Sequence, residues 1–219
     1  MGTPYNMVGL AGTNHGVAEI SNMPPVNLES RLKYLVQYPH GCIEQTTSSV
    51  FPQLYLPNLV ELPSDKKNEL ENNIKAGIQR LVTFQLGNGG LSYWPGYADG
   101  ASHWGTNYAG HFMLEAKNKG YTIPQDFLKL WIRFQTNEAN HWRNTNLATY
   151  NHHYNSNQLT QAYRLYTLAL AGKPAMGAMN RMRQLSNLAV AASWRLAAAY
   201  ALAGKTDVAA EMVKPQKPR

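Results

Sequence analysis

Tyr38-Pro39-His40-Gly41-Cys42-Ile43-Glu44-Gln45-Thr46-Thr47 decides the reading of this chain. It holds the only cysteine, with a glutamine three positions on. Pro39 and Gly41 break the backbone ahead of the cysteine, and Thr46-Thr47-Ser48-Ser49-Val50-Phe51 runs on into an apolar stretch. A break followed by such a run predicts a helix that starts at or near Cys42. Positions i and i+3 share a helix face, so the Cys42 thiol is expected within reach of the Gln45 carboxamide.

That proximity permits one unusual reaction. A thiolate can attack the carboxamide carbon, expel ammonia and leave an internal thioester. A helix N-terminus favours the thiolate that the attack requires. The product is an activated acyl group open to amines, hydroxyls and water, and it lasts only where water is kept away. Read alone, a single cysteine is a small buried hydrophobe more often than a reactive group. What raises Cys42 above that reading is the motif in its longer context.

Gly41-Cys42-Ile43-Glu44-Gln45 resembles the thioester motif of the alpha-2-macroglobulin and complement superfamily. The longer string, Asn27-Leu28-Glu29, Arg31-Leu32, Tyr34-Leu35 and then Tyr38 to Ser48, is similar to the bacterial branch. Animal members carry glycine where this chain has Ile43, which is not a reacting group. The resemblance implies that Cys42 and Gln45 form the thioester and that Tyr38 shields it. A tyrosine ahead of a turn is otherwise a packing residue. The role of Glu44 cannot be read from the pattern.

Outward from the motif, the 219 residues suffice for one large domain or two small ones. Hydrophobic residues make up 44% and charged ones only 15%, which favours a globular core over disorder. The net charge of +7 is dispersed and comes with no nucleic-acid motif, so it reads as a solvated surface. No run is long and apolar enough to insert in a membrane, and Met1-Gly2-Thr3-Pro4 lacks the basic and apolar regions of a secretory leader. One cysteine forms no internal disulfide and leaves the redox compartment open.

Residues 1–27 are expected to be an extended leader, residues 28–213 the domain, and residues 214–219 a tail. Asn27 or Ser30 is expected to cap a short helix over Arg31 to Gln37. Pro57 and Pro63 mark a linker, and Ser64-Asp65 caps a long helix whose face is Leu70, Ile74, Gly77, Ile78, Leu81, Val82 and Leu86. The run Gly87-Asn88-Gly89-Gly90-Leu91-Ser92-Tyr93-Trp94-Pro95-Gly96 cannot continue that helix, and with no lysine it is a poor phosphate loop. It resembles a turn between helical hairpins, with Trp94 packed between them.

Helices are expected from Asn107 to Lys117, from Pro124 onward with Phe127, Leu128, Trp131, Ile132 and Phe134 on its apolar side, from Leu159 to Ala171 and from Asn187 to Ala203. Tyr166 to Lys173 and Tyr200 to Lys205 echo each other as helix ends stopped by glycine. His103, Trp104 and His111 have a metal-like look, but only Glu115 stands at a helical step from His111, so they read as satisfied histidines and no metal or cofactor is called for. Gln135 to Asn157 turns polar and reads as a long connection. In complement-type relatives a histidine in such a loop attacks the thioester, and His141, His152 and His153 are the candidates, each otherwise a surface residue.

The fold expected is all-α, an α/α-toroid of about four to five stacked hairpins where a full ring takes about six. The function implied by the resemblance is the thioester domain of a bacterial protease trap. Its parent would be exported to the periplasm and lipid-anchored, and a lysine of the attacking protease would take the Gln45 acyl group after bait cleavage elsewhere. Its partners would be target proteases and the other domains of the parent, with no nucleic acid. The reaction is single-use, hence not enzymatic. Two other classes compete: a cysteine-nucleophile enzyme using a distant histidine such as His153, and a toroid enzyme or sugar-binding module using Tyr93-Trp94 and His103-Trp104.

Overall fold

The computed structural model describes Gly9 and residues 33–97, 100–144 and 154–214. The expected leader, the caps Asn27 and Ser30, His152, His153 and nearly all of the expected tail lie outside these residues, apart from Gly9 and Lys214. The chain is all-helical, with one isolated antiparallel bridge, Gln85 to Leu91, among the described residues. The main helices are α1 (Ile43–Val50), α2 (Ser64–Val82), α3 (His103–Asn118), α4 (Gln125–His141), α5 (Tyr154–Leu170), α6 (Met176–Arg183), α7 (Val190–Leu202) and α8 (Thr206–Val213). In sequence they follow as hairpins, and α1, α3, α5 and α7 pack side by side in turn.

Local chemistry sets the ends. Before α1, the expected helix from Arg31 is a single 3-10 turn, Lys33–Leu35. Pro52 has no N–H to continue α1, so the chain tightens into a 3-10 turn, Pro52–Leu54. Pro57 is not linker: it sits in the first turn of a one-turn helix, Leu56–Leu59, where its missing N–H costs nothing. Ser64 does not cap α2 but is its first residue, with Pro63 at the cap position. Ser102 does cap α3, accepting from the Gly105 N–H at 3.2 Å, so that helix starts four residues before Asn107.

Two buried clusters make the core. One runs from Ile43 and Val50 through Ile74, Leu81 and Phe84 to Phe112 and Trp131. The other runs from Ala139 through Leu165 and Leu168 to Met179, Leu196 and Tyr200. Ile132 packs against both. Small residues let α5 and α7 come close: Ala162, Ala169, Ala192 and Ala199 are all buried. Trp131 is fully buried, and its indole N–H donates to the Thr106 carbonyl at 2.9 Å. Its ring lies where a Cβ on Gly110 would stand, so α3 and α4 touch through a glycine.

The axis of α3, α4 and α5 carries buried polar groups. The Arg164 guanidinium donates to Gln135 Oε1 at 3.1 Å and to Gln161, and its other nitrogen lies 3.1 Å from His103 Nδ1. Gln135 donates to Asn107 at 2.6 Å, and Asn107 to the Thr160 carbonyl at 2.8 Å. Burial pulls Arg164 down to about 10, and pulls His103 down too with help from Arg164, so His103 accepts from the guanidinium as a neutral ring. An unmade bond here would leave a desolvated group, so this network fixes the relative register of the three helices.

His111 is the satisfied histidine that the sequence suggests. It shares a 2.9 Å hydrogen bond with the Tyr163 hydroxyl and meets the Phe51 ring edge-on at 4.9 Å. Burial pushes its imidazole down to about 4; Glu115 opposes the shift and Arg195 adds to it. The unfolded chain, with an ordinary value near 6.5, therefore binds more protons than the folded one between those limits. Stability is full above about pH 6.5 and falls by about 2–3 kcal/mol as pH drops towards 4. His111→Gln is expected to flatten the fall in Tm between pH 7 and pH 4.5; an equal fall in wild type and variant would remove His111 as its source.

Candidate functional site

The motif forms a turn that enters α1. Gly41 takes φ +82°, a region that glycine enters freely and other residues at a cost. Cys42 follows as N-cap in extended geometry, 4% exposed, and Ile43 opens the helix fully buried. The Gln45 carboxamide folds back over this end: its Oε1 accepts the Cys42 N–H at 3.0 Å, in a capping-box arrangement with the Cys42 side chain turned to the Gln45 backbone. A Cβ on Gly41 would occupy the space of Gln45 Oε1 and Cδ. The glycine is thus required twice, for its dihedral and for the room it leaves to the carboxamide.

Several side chains hold this turn. Arg80, in the last turn of α2, donates to the Gly41 carbonyl at 2.7 Å and to the Thr46 hydroxyl at 3.2 Å. Thr46 in turn donates to the His40 carbonyl at 3.3 Å. Thr47 closes onto the Ile43 carbonyl at 2.7 Å, which lets a hydroxyl be buried on α1. Gln53, fully buried, donates to the carbonyls of Gln37 and Ser49 at 2.8 Å each, tying the segment that leads into the motif to the helix. From across the domain the Tyr93 carbonyl accepts the Ile43 N–H at 3.1 Å.

The Cys42 thiol and the Gln45 carboxamide differ in their access to water. The sulfur is buried, whereas Gln45 is exposed and borders an open cleft of about 350 Å³ lined also by Tyr34, Leu35, Gln37, His40, Ser48 and Ser49. A cleft of that size admits an amine, and equally water. Tyr38 is 67% exposed, with its carbonyl accepting from His40 Nδ1 at 3.0 Å. A ring so open covers a neighbour only when another surface presses on it.

The remaining sequence candidates divide. His141 is not in a loop: it ends α4, which extends seven residues into the stretch read as a connection, and its Nδ1 donates to the Asn137 carbonyl at 2.9 Å. His152 and His153 lie outside the described residues. Trp94 does not pack between hairpins. It is 44% exposed and edge-on to Tyr93, while Leu91 fills the buried place beneath the loop. The hydrogen bonds of His40, His103, His111 and His141 go to Tyr38, Arg164, Tyr163 and Asn137, none of them Cys42. No cluster of three metal-ligating side chains occurs among the described residues. Arg80 was not a candidate in the sequence, and Tyr93 was one only for a toroid enzyme or sugar-binding site: each meets the motif from about 40 to 50 positions away, and no local pattern signals that.

The chain belongs to the A-macroglobulin TED domain family, whose model matches residues 17–138. Alpha-2-macroglobulin of Escherichia coli (strain K12) is 35% identical over 119 residues, 52% of this chain and 7% of that protein. Alpha-2-macroglobulin of Rickettsia conorii is 32% identical over 111 residues, 49% of this chain and 6% of that one. The crystal structure of native alpha-2-macroglobulin from Escherichia coli, spanning domain MG7 to the C-terminus, superposes with TM-score 0.72 at 26% identity, over 88% of this chain and 31% of that one. Salmonella alpha-2-macroglobulin reacted with methylamine gives 0.71 at 25% identity, over 87% of this chain and 13% of that one. The fold is accordingly the α/α-toroid of these TED domains. The chain spans less than a tenth of the curated relatives' length.

Proposed function

We propose that Cys42 and Gln45 close an internal thioester and that this domain is the acyl-transfer part of a bacterial protease trap. The observation that carries the reading is the Gln45 carboxamide folded onto the Cys42 N–H at the helix start, with Gly41 leaving it room. In closure the Cys42 thiolate attacks Gln45 Cδ, the C–N bond breaks and ammonia leaves. In capture a lysine amine attacks the same carbon, the C–S bond breaks, and the amine's proton ends on the Cys42 sulfur. A thiolate leaves readily, so the bond needs little further activation. Each molecule would react once, which would make the parent a covalent inhibitor through single-use acylation by this domain.

An exposed Gln45 supports a trigger outside this domain. In the parent, another domain would cover the cleft and press Tyr38 over the bond until bait cleavage withdraws it. Residues 28–213 would be the acyl-transfer unit, with residues 1–27 as its leader and residues 214–219 as a tail. The resemblance to the bacterial branch of the family is the ground for placing the parent in the cell envelope, exported to the periplasm. In the full-length protein that carries this domain, trypsin is expected to give an adduct stable to SDS and reductant, absent in Cys42→Ala. An equal adduct in that variant would end the proposal.

A further inference from the structure

A chain of hydrogen bonds runs through the peptide between Gly41 and Cys42. On its carbonyl side, Arg80 Nη2 donates to the Gly41 oxygen at 2.7 Å. On its amide side, the Cys42 N–H donates to Gln45 Oε1 at 3.0 Å. The guanidinium that starts this chain is held from two further directions. Its Nε donates to the Thr46 hydroxyl at 3.2 Å, and its plane lies 5.6 Å from the centroid of the buried Phe84 ring. The next amide along, the Ile43 N–H, is taken by the Tyr93 carbonyl at 3.1 Å, so of these two donors only the Cys42 N–H meets the carboxamide.

We infer that the Cys42 N–H is the oxyanion donor of the acyl transfer, and that Arg80 is its positioning residue, acting through the Gly41 carbonyl. The inference rests on the thioester reading of Cys42 and Gln45. In closure the thiolate adds to Gln45 Cδ and the C=O electron pair moves onto Oε1. As the pair returns, the C–N bond breaks and ammonia leaves with the proton that the thiol gave up. In capture an amine adds to the same carbon and the same oxygen takes the pair. Its return breaks the C–S bond, and the amine's proton passes to the sulfur. In both steps negative charge gathers on the atom that the Cys42 N–H already holds. The neutral bond there becomes charge-assisted, and a donor aimed before the attack needs no reorganisation to supply it. A cation on the carbonyl side of a peptide draws electrons from its nitrogen, so the N–H donates more strongly. Because the peptide is planar, fixing the carbonyl also fixes the direction of the N–H.

Arg80→Met removes both donors at similar length, and Arg80→Lys keeps the charge. The rate of thiol release by methylamine is followed well below the Tm of each protein. Beside it, the infrared difference spectrum before and after methylamine gives the thioester carbonyl stretch. Arg80→Met is expected to react about tenfold more slowly, with the stretch at higher frequency because the bond to Oε1 is weaker. Arg80→Lys is expected to recover part of both. Where Arg80→Met forms no thioester, Arg80→Lys carries the test, with the same two shifts in smaller measure. A wild-type rate in the variant that reacts overturns the inference. Slowing at an unchanged stretch overturns it as well and leaves Arg80 a structural anchor. So does loss of the thioester from both variants, because lysine retains the charge. Each of these results leaves the thioester reading standing. Absence of thiol release from the wild type overturns that reading, and this inference with it.

Discussion

Gly41→Ala is expected to lose most of the thiol that methylamine can release from Cys42. Two causes act together. The backbone must keep φ +82°, where an alanine costs about 1–2 kcal/mol. The new methyl also claims the place of the Gln45 carboxamide, which is the free end of a flexible chain and yields by swinging away. That movement separates the acyl carbon from the sulfur it must meet. Thiol titration before and after methylamine reads the loss directly. Gly41→Ala releasing as much thiol as wild type would mean that the carboxamide position seen at the helix start is not the one that reacts.

Trp131→Ala should be the most damaging single change to stability, at about 3–5 kcal/mol. The indole is fully buried and fills the groove that Gly110 opens, and it satisfies the Thr106 carbonyl, which alanine leaves without that donor. For a domain of this size the cost corresponds to a fall in Tm of about 10 °C. Thr106 also bonds Leu91 beneath the loop that carries Tyr93, so the damage is expected to reach the site and slow thiol release too. A variant that melts within about 2 °C of wild type would show that the α3–α4 contact collapses without penalty.

The motif and the helices with a strong apolar period could be read from the chain because their signals are local. Gly41 and Pro39 announce the entry to α1, and Leu70, Ile74, Ile78 and Leu81 all lie buried on one face of α2. Helices with weak local signals escaped. α6 is short, its three methionines interrupted by Gly177, Asn180 and two arginines, and it buries only Ala178, Met179 and Met182; α8 buries none of its residues. The second half of α4 read as a connection because its Asn, Gln and His outweigh its apolar residues. Gln135 and Ala139 are nonetheless buried, and the Arg164 network and the second cluster hold that half in place.

The closeness of Cys42 and Gln45 was legible for the same local reason: one helical turn joins them. The groups that hold them were not. Arg80 reaches Gly41 only because α2 packs across α1, and Tyr93 reaches Ile43 only because the loop folds back beneath α3. Trp94 shows the converse error. A large aromatic beside glycines suggests packing, yet Leu91 takes the buried place and leaves both aromatics at the rim.

The most direct test is the intact mass of the chain before and after methylamine, beside Cys42→Ala. The wild type should be lighter than its sequence by one ammonia, and should gain one methylamine as one thiol appears; the variant should do neither. A wild-type mass equal to that of the plain sequence, unchanged by methylamine, would show that the sulfur and the carboxamide carbon are neighbours without a bond.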